Sequence, residues 1–199
     1  TAEELVQQGH LREATLLYEK ALKHDSSLEG VDHRLAVIHS ANCNDQQAQI
    51  HFQRAIEKQP KRADVLNDYG YFQLQRNNAE LAEEQFRRAL QYDSKHETAR
   101  VNLGLALAAQ GRFQDAYDAF EAAVGPASAH SNVGVLLLKY GRHDEARQAF
   151  ENALKLDAGL RQPQEFLAYL DRKAHNPANI VAGPALPPTM NAAPRAYRR

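Results

Sequence analysis

A chain of 199 residues that is 43% hydrophobic and 25% charged has the composition of an ordinary folded protein of one or two domains. Its 24 Lys and Arg against 25 Asp and Glu leave a formal net charge of −1; with no cationic excess to neutralise a row of phosphates, nucleic acid is not an expected partner. The single cysteine, Cys43, allows no intrachain disulfide and leaves cytoplasm and periplasm both open, and no apolar run approaches the ~20 residues that span a bilayer.

Three columns of residues recur along the chain. Ala14, Ala48, Ala82 and Ala116 stand 34 apart, and Ala146 follows after a step of 30. Tyr18, Phe52, Phe86, Phe120 and Phe150 form an aromatic column in the same steps, and Ala21, Ala55, Ala89, Ala123 and Ala153 a small one. A period of this length, with two helix-length segments per unit, is the signature of a helical solenoid in which each unit buries its apolar face only by stacking on its neighbours.

In chain order, residues 1–28 hold part of a first helix and a full second one, so the natural chain is expected to begin earlier. The missing partner helix would leave Leu5, Leu16 and Leu17 exposed, an opening for self-association. Complete units are expected over 29–62, 63–96, 97–127 and 128–160. In the third, Leu103, Leu107 and Ala108 mark one helix and Phe113, Ala116, Phe120 and Ala123 a second, at three- and four-residue spacings. Gly111 ends the first helix in a left-handed turn, and Gly9 and Gly141 share its column, with Cys43 and Asn77 as exceptions. The small residues Gly104 and Ala116 allow two helix axes to approach, and Phe120 fills the space between them. Glu80, Glu83 and Glu84 fall on the outer face of a second helix, where solvated charge is expected. At "AAVGPASAH", Gly125 and Pro126 end one helix and start the next at once; the lost turn predicts a local change in superhelix pitch. Pro163 opens a capping helix over about 161–174, with Phe166, Leu167 and Leu170 as its apolar stripe and Arg172 and Lys173 at its end. Residues 175–199, rich in Pro and Ala and without an acidic side chain, read as an extended or disordered tail whose "PALPP" favours polyproline II; it docks on the solenoid or a partner in the alternative reading.

No enzymatic constellation accompanies this pattern. The sequence has nine His but no His-Glu-x-x-His, no cysteine pair for zinc, no G-x-S-x-G elbow and no phosphate-cradling glycine loop. His33 and His39 are six residues apart, on different helical faces, and read as surface or groove histidines. Cys43, between Asn42 and Asn44 in a turn, has no neighbour that would make it a nucleophile. No cofactor or metal is expected, and the protein is read as non-catalytic.

The pattern of large-small at 103–104, Gly111, Ala116, Phe120 and Ala123 resembles the tetratricopeptide repeat family over roughly residues 1–174. It departs from that family in lacking Trp and in keeping the inter-repeat Pro only at Pro60. The resemblance implies an all-α, right-handed solenoid of antiparallel helix pairs whose first helices line a concave groove for an extended peptide or a partner helix. Helix geometry places Thr98, Val101, Asn102, Leu105, Ala108 and Ala109 on or near the exposed inner stripe of one unit. The equivalent positions elsewhere are His33, Arg34 and Val37; Asp64, Asn67, Asp68 and Tyr71; and Ser131, Asn132, Val135 and Lys139. An Asn amide offers a donor and an acceptor that match a peptide backbone, and family members that grip extended peptides use Asn in this column, which implies the same role for Asn102 and Asn132; the alternative is that these amides only bond a neighbouring helix. The expected groove set is Arg34, Asn67, Asp68, Tyr71, Asn102, Leu105, Asn132, Val135 and Lys139. Tyr71, Leu105 and Val135 would form an apolar lane, Arg34 and Lys139 basic points, and Asp64 with Asp68 an acidic patch. The Lys and Asn set of chaperone-tail adaptors is not matched, since those columns hold His33, Asn67, Val101 and Ser131. The repeat style, "VLNDYGYF" followed by "AEEQFRRAL", looks like bacterial pilus-assembly and secretion accessory solenoids. A binding scaffold is the favoured reading; the regulatory or targeting part of a larger enzyme is the alternative.

Overall fold

The computed structural model describes residues 1–175 and Pro184, so the expected tail lies almost wholly outside the described residues. Eleven α-helices and no strand occur among them: α1 (Ala2–Gln7), α2 (Leu11–His24), α3 (Val31–Ala41), α4 (Asp45–Lys58), α5 (Ala63–Leu74), α6 (Ala79–Tyr92), α7 (Glu97–Ala109), α8 (Phe113–Val124), α9 (Pro126–Lys139), α10 (His143–Leu156) and α11 (Arg161–His175). Consecutive helices pack as antiparallel pairs, α3 with α4, α5 with α6, α7 with α8 and α9 with α10, and each pair stacks on the next. The architecture is the α-solenoid that the period of the sequence predicts.

Each hairpin needs a sharp reversal, and one column supplies it. Gly9, Gly111 and Gly141 have φ of 81°, 78° and 76°, where a Cβ is normally disfavoured. Cys43 and Asn77, which break the glycine pattern in sequence, keep its conformation, with φ of 56° and 61°. Backbone geometry therefore repeats more faithfully than residue identity.

The paired helices are held by one contact made three times. A Cβ built on Gly70, Gly104 or Gly134 would lie 2.7, 2.6 and 2.6 Å from Cε1 of Phe86, Phe120 and Phe150 respectively, so one side of each ring lies directly against bare backbone. All three rings are fully buried, as is Phe52, whose opposite residue in the repeat is the small Ala36. Burying one such ring contributes about 1.5–3 kcal/mol, and the column makes the aromatic the centre of every pair. The α3–α4 pair adds a polar anchor: Asp32, 2% exposed, accepts from Lys58 Nζ at 2.6 Å and lies 2.8 Å from His51 Nδ1. Burial alone would raise the Asp32 pKa, but the Lys58 and His51 hydrogen bonds and charges outweigh it and hold the carboxyl below its usual value.

The ends are finished differently. Thr1 caps α1 with a reciprocal Thr1–Glu4 box. Leu5 packs beside Ala14, Tyr18, Leu35 and Ile38 instead of standing exposed, whereas Leu16 and Leu17 remain 66% and 45% exposed. Gly125 serves as C-cap of α8 and N-cap of α9, with Pro126 the first residue of α9, so no linker separates these helices. α11 closes the other end by stacking Phe166 on Phe150, ring centroids 5.1 Å apart and planes parallel to 1°.

Candidate functional site

The layering decides which helices can face a ligand. First helices touch one another directly, α3 with α5, α5 with α7 and α9 with α11, whereas no two second helices make comparable contacts. A stack closer on one side than on the other curves toward the closer side. The wall of α3, α5, α7 and α9 is accordingly the concave one.

Along this wall runs a continuous chain of polar side chains. His33 Nε2 lies 2.9 Å from Asp68 Oδ2, Asn67 Nδ2 donates to Asp68 Oδ1 at 3.0 Å, and Asn102 Nδ2 donates to Asn67 Oδ1 at 3.0 Å. Three successive repeats are joined by it. His33, Asn67 and Asn102 are 7%, 3% and 0% exposed, so these side chains are oriented by partners rather than left to rotate in solvent. Of the two readings of His33, surface or groove, the first is corrected: it is a buried member of the chain along this wall, bonded to Asp68.

The remaining predicted residues distribute around that chain. Arg34 is exposed and paired with Glu3 at 3.3 Å, and Lys139 is exposed at the end of α9. Tyr71 and Leu105 are partly buried; burial, partly offset by a Gln75 hydrogen bond, raises the Tyr71 phenol pKa. Asn132 and Val135 are each 2% exposed. Val101, Asn102 and Ala108 are buried rather than exposed, and of their stripe Ala109 is exposed and Thr98 and Leu105 are partly so. The wall is more closed than helical spacing alone suggests, because Asn102 turns sideways to α5. Asp64, 64% exposed, stands 3.6 Å from His96 Nε2 and 3.8 Å from Arg62 Nε, which makes the α5 segment the acidic part of the wall.

Two features outside the wall carry no signal in the repeat columns. Glu83, expected to be a solvated outer carboxylate, is 6% exposed. It accepts both oxygens' worth of hydrogen bonds from Arg112 Nη1 at 2.9 and 3.0 Å, another from Gln110 at 2.6 Å, and pairs with Arg87. It therefore ties α6 to the α7–α8 turn. Burial would raise its pKa, but the Gln110 and Arg112 hydrogen bonds and the Arg87 and Arg112 charges hold it lowered. The second feature is an open outer groove of about 790 Å³ between α8 and α10, floored by His130, Val133 and Leu137 of α9 and edged by Phe113, Tyr117 and Gln148. The Tyr117 and His130 rings meet at 4.5 Å.

Residues 33–134 match the family described as the middle TPR-like domain of cilia and flagella-associated protein 70, and residues 127–159 match the tetratricopeptide repeat itself. No curated protein matches the sequence. Among solved structures, PilW, described as a widely conserved type IV pilus biogenesis factor, is 24% identical with a TM-score of 0.68, the match covering 96% of this chain and 85% of that one. YrrB, described as a TPR protein with an unusual peptide-binding site, is 22% identical with a TM-score of 0.65 over 82% of this chain and 86% of its own. The pilF protein of Pseudomonas aeruginosa is 22% identical with a TM-score of 0.64, covering 89% of this chain and 90% of that one. At these identities the likeness is one of fold.

Proposed function

The chain belongs to the tetratricopeptide repeat family, and from that premise we propose that it is a non-catalytic scaffold whose concave wall holds an extended polypeptide of a partner protein. Solenoids of this family are in general protein-interaction scaffolds; the finer assignment, to the wall and to an extended ligand, rests on one observation. This is the polar chain His33–Asp68–Asn67–Asn102, fixed by hydrogen bonds of 2.9 to 3.0 Å, lying beside the partly buried Tyr71 and Leu105.

A wall whose polar side chains are already locked to one another loses little entropy when a ligand arrives, and a partly buried aromatic and leucine offer it apolar anchors. In this reading the partly buried Tyr71 and Leu105 take side chains of the ligand, with Val135 packed beneath them. Asn67 and Asn102, buried and bonded to each other across α5 and α7, brace the wall beneath the ligand, Asp64 and Asp68 favour a basic residue at one end, and Arg34 and Lys139 accept acidic side chains. The solved structure described as a TPR protein with an unusual peptide-binding site supports peptide recognition as a use of this fold.

The test is a peptide selected from a random library on the folded chain and measured by fluorescence anisotropy. Leu105→Arg is expected to weaken its binding by tenfold or more, and Tyr117→Ala, in the outer groove, by less than twofold. The reverse order would move the site to the outer groove.

A further inference from the structure

In three of the second helices, the residue after the column alanine reaches across to the next hairpin or helix. Gln49 donates to the Tyr69 hydroxyl at 2.7 Å and accepts from Gln73 at 2.8 Å, Glu83 accepts from Gln110 and Arg112, and Arg147 pairs with Asp171 of α11 at 2.7 Å. In α8 that position is Tyr117, whose hydroxyl turns back to donate to Glu121 of its own helix at 2.9 Å. Arg142, the counterpart of Arg112, likewise donates from Nε and Nη2 to the two oxygens of Glu145 in its own helix, both at 2.6 Å. Among the described residues, neither side chain ties α8 to α10 by a hydrogen bond or ion pair. The outer groove of about 790 Å³ lies at this junction.

We infer that this groove is a second docking site, for an amphipathic helix of a partner protein that carries Lys or Arg beside its apolar stripe. The floor is one helical stripe, His130, Val133 and Leu137 of α9, at spacings of three and four residues. A helix laid along that stripe meets it with its own residues at i, i+3 or i+4, and i+7. The groove has the volume of about two turns of a helix 10–12 Å across. Charge selects the partner's sign. Asp144 and Glu145 of α10 line one bank. On the other, Asp118 and Glu121 of α8 accept from the lining residues Gln114 and Tyr117. Against these carboxylates stands Arg142, which is neutralised by Glu145 and lies 4.6 Å over the Phe113 ring. The exposed Asp144 has no ion-pair partner among the described residues. Lys155 approaches at the opposite end, where it donates to Asn152 at 3.2 Å. A basic helix is therefore favoured and an acidic one repelled. The site is separate from the concave wall, so both can be filled at once.

The experiment selects binders on the folded full chain from a displayed library of single helices, one fixed helical scaffold with the positions of one face randomised. Selected helices are synthesised with a fluorescein label and titrated by anisotropy against the native chain, Gln148→Arg, Asp144→Lys and Leu105→Arg. Gln148 and Asp144 are both exposed, so these two variants keep the fold, which circular dichroism checks. The binding helices are expected to carry Lys or Arg, to lose tenfold or more in affinity at Gln148→Arg, and to lose at least threefold at Asp144→Lys. The Asp144→Lys loss should shrink in about 0.5 M salt, and Leu105→Arg should change binding by less than twofold. Recovery of no binding helix overturns the inference. So do helices that bind without a basic residue, and helices that respond to Leu105→Arg but not to the two groove variants. A random-library peptide that loses its affinity at Leu105→Arg keeps the reading of the wall intact in each of those cases, so the two readings fail separately.

Discussion

Gly104→Ala tests the contact that sets the distance between paired helices. The new methyl would lie 2.6 Å from Cε1, 2.8 Å from Cζ and 2.9 Å from Cδ1 of Phe120, where carbon pairs normally rest about 3.5–4.0 Å apart. Relief requires α7 and α8 to part by about 1 Å, or Phe120 to leave a ring position that is fully buried. Overpacking of this kind costs about 1–3 kcal/mol, and contact with three ring carbons puts this case near the upper end. Replacing Gly by Ala inside a helix returns about 1 kcal/mol through backbone propensity, leaving a net loss of about 2 kcal/mol. For a chain of this size that lowers the melting temperature by roughly 4–8 °C. The assay is thermal unfolding by circular dichroism at 222 nm, with urea midpoints as a second probe compared between variants, since a repeat array need not unfold in two states. Gly104→Ala combined with Phe120→Leu should recover part of the loss. An unchanged or raised melting temperature in the single variant would refute the argument that bare backbone is needed opposite the ring.

Other outcomes follow from the same structure. Cys43→Gly relieves a non-glycine residue at φ 56° and should raise stability by about 0.5–1 kcal/mol, or about 1–4 °C; a fall in melting temperature would contradict it. Because the Glu83 pKa is lowered in the fold, its contribution is fully present above the unfolded carboxylate value near 4.3 and is lost as pH falls through the folded value. Melting curves of Glu83→Gln should therefore lie below the native ones at pH 7 and converge with them in acid, and a constant gap across the range would disprove the role of the carboxylate. Phe150→Ala, which removes the ring stacked on Phe166 at 5.1 Å, should cost about 3–5 kcal/mol and raise amide exchange in α11 ahead of α3; uniform exchange would contradict end-on capping.

Much of this fold was legible because solenoid packing is local. The aromatic column and the Gly70, Gly104 and Gly134 column follow from one helix pair repeated, and a pattern that recurs in four units carries its own confirmation. Residue identity was a poorer guide to the turns: Cys43 and Asn77 looked like breaks and are left-handed all the same. The polar wiring was not legible. Glu83 shares its helical face with solvated Glu80 and Glu84, and only the arrival of Arg112 from the next hairpin makes it a buried tie. Spacing placed His33, Asn67 and Asn102 on one stripe, but a bond between residues 35 apart depends on how one repeat rotates against the next, which no single-chain period specifies. The outer groove between α8 and α10 escaped for the same reason, since its lining comes from three helices and the turns beside them, whose relative placement no motif within one repeat specifies.

The most direct measurement of the central claim is a chemical-shift map of the isotopically labelled chain titrated with its selected peptide. The concave-wall account predicts that the largest changes fall on α5, α7 and α9, at Tyr71, Leu105, Asn132 and their neighbours, with Phe113 and Tyr117 unmoved. Changes confined to Phe113, Tyr117 and His130 would contradict it.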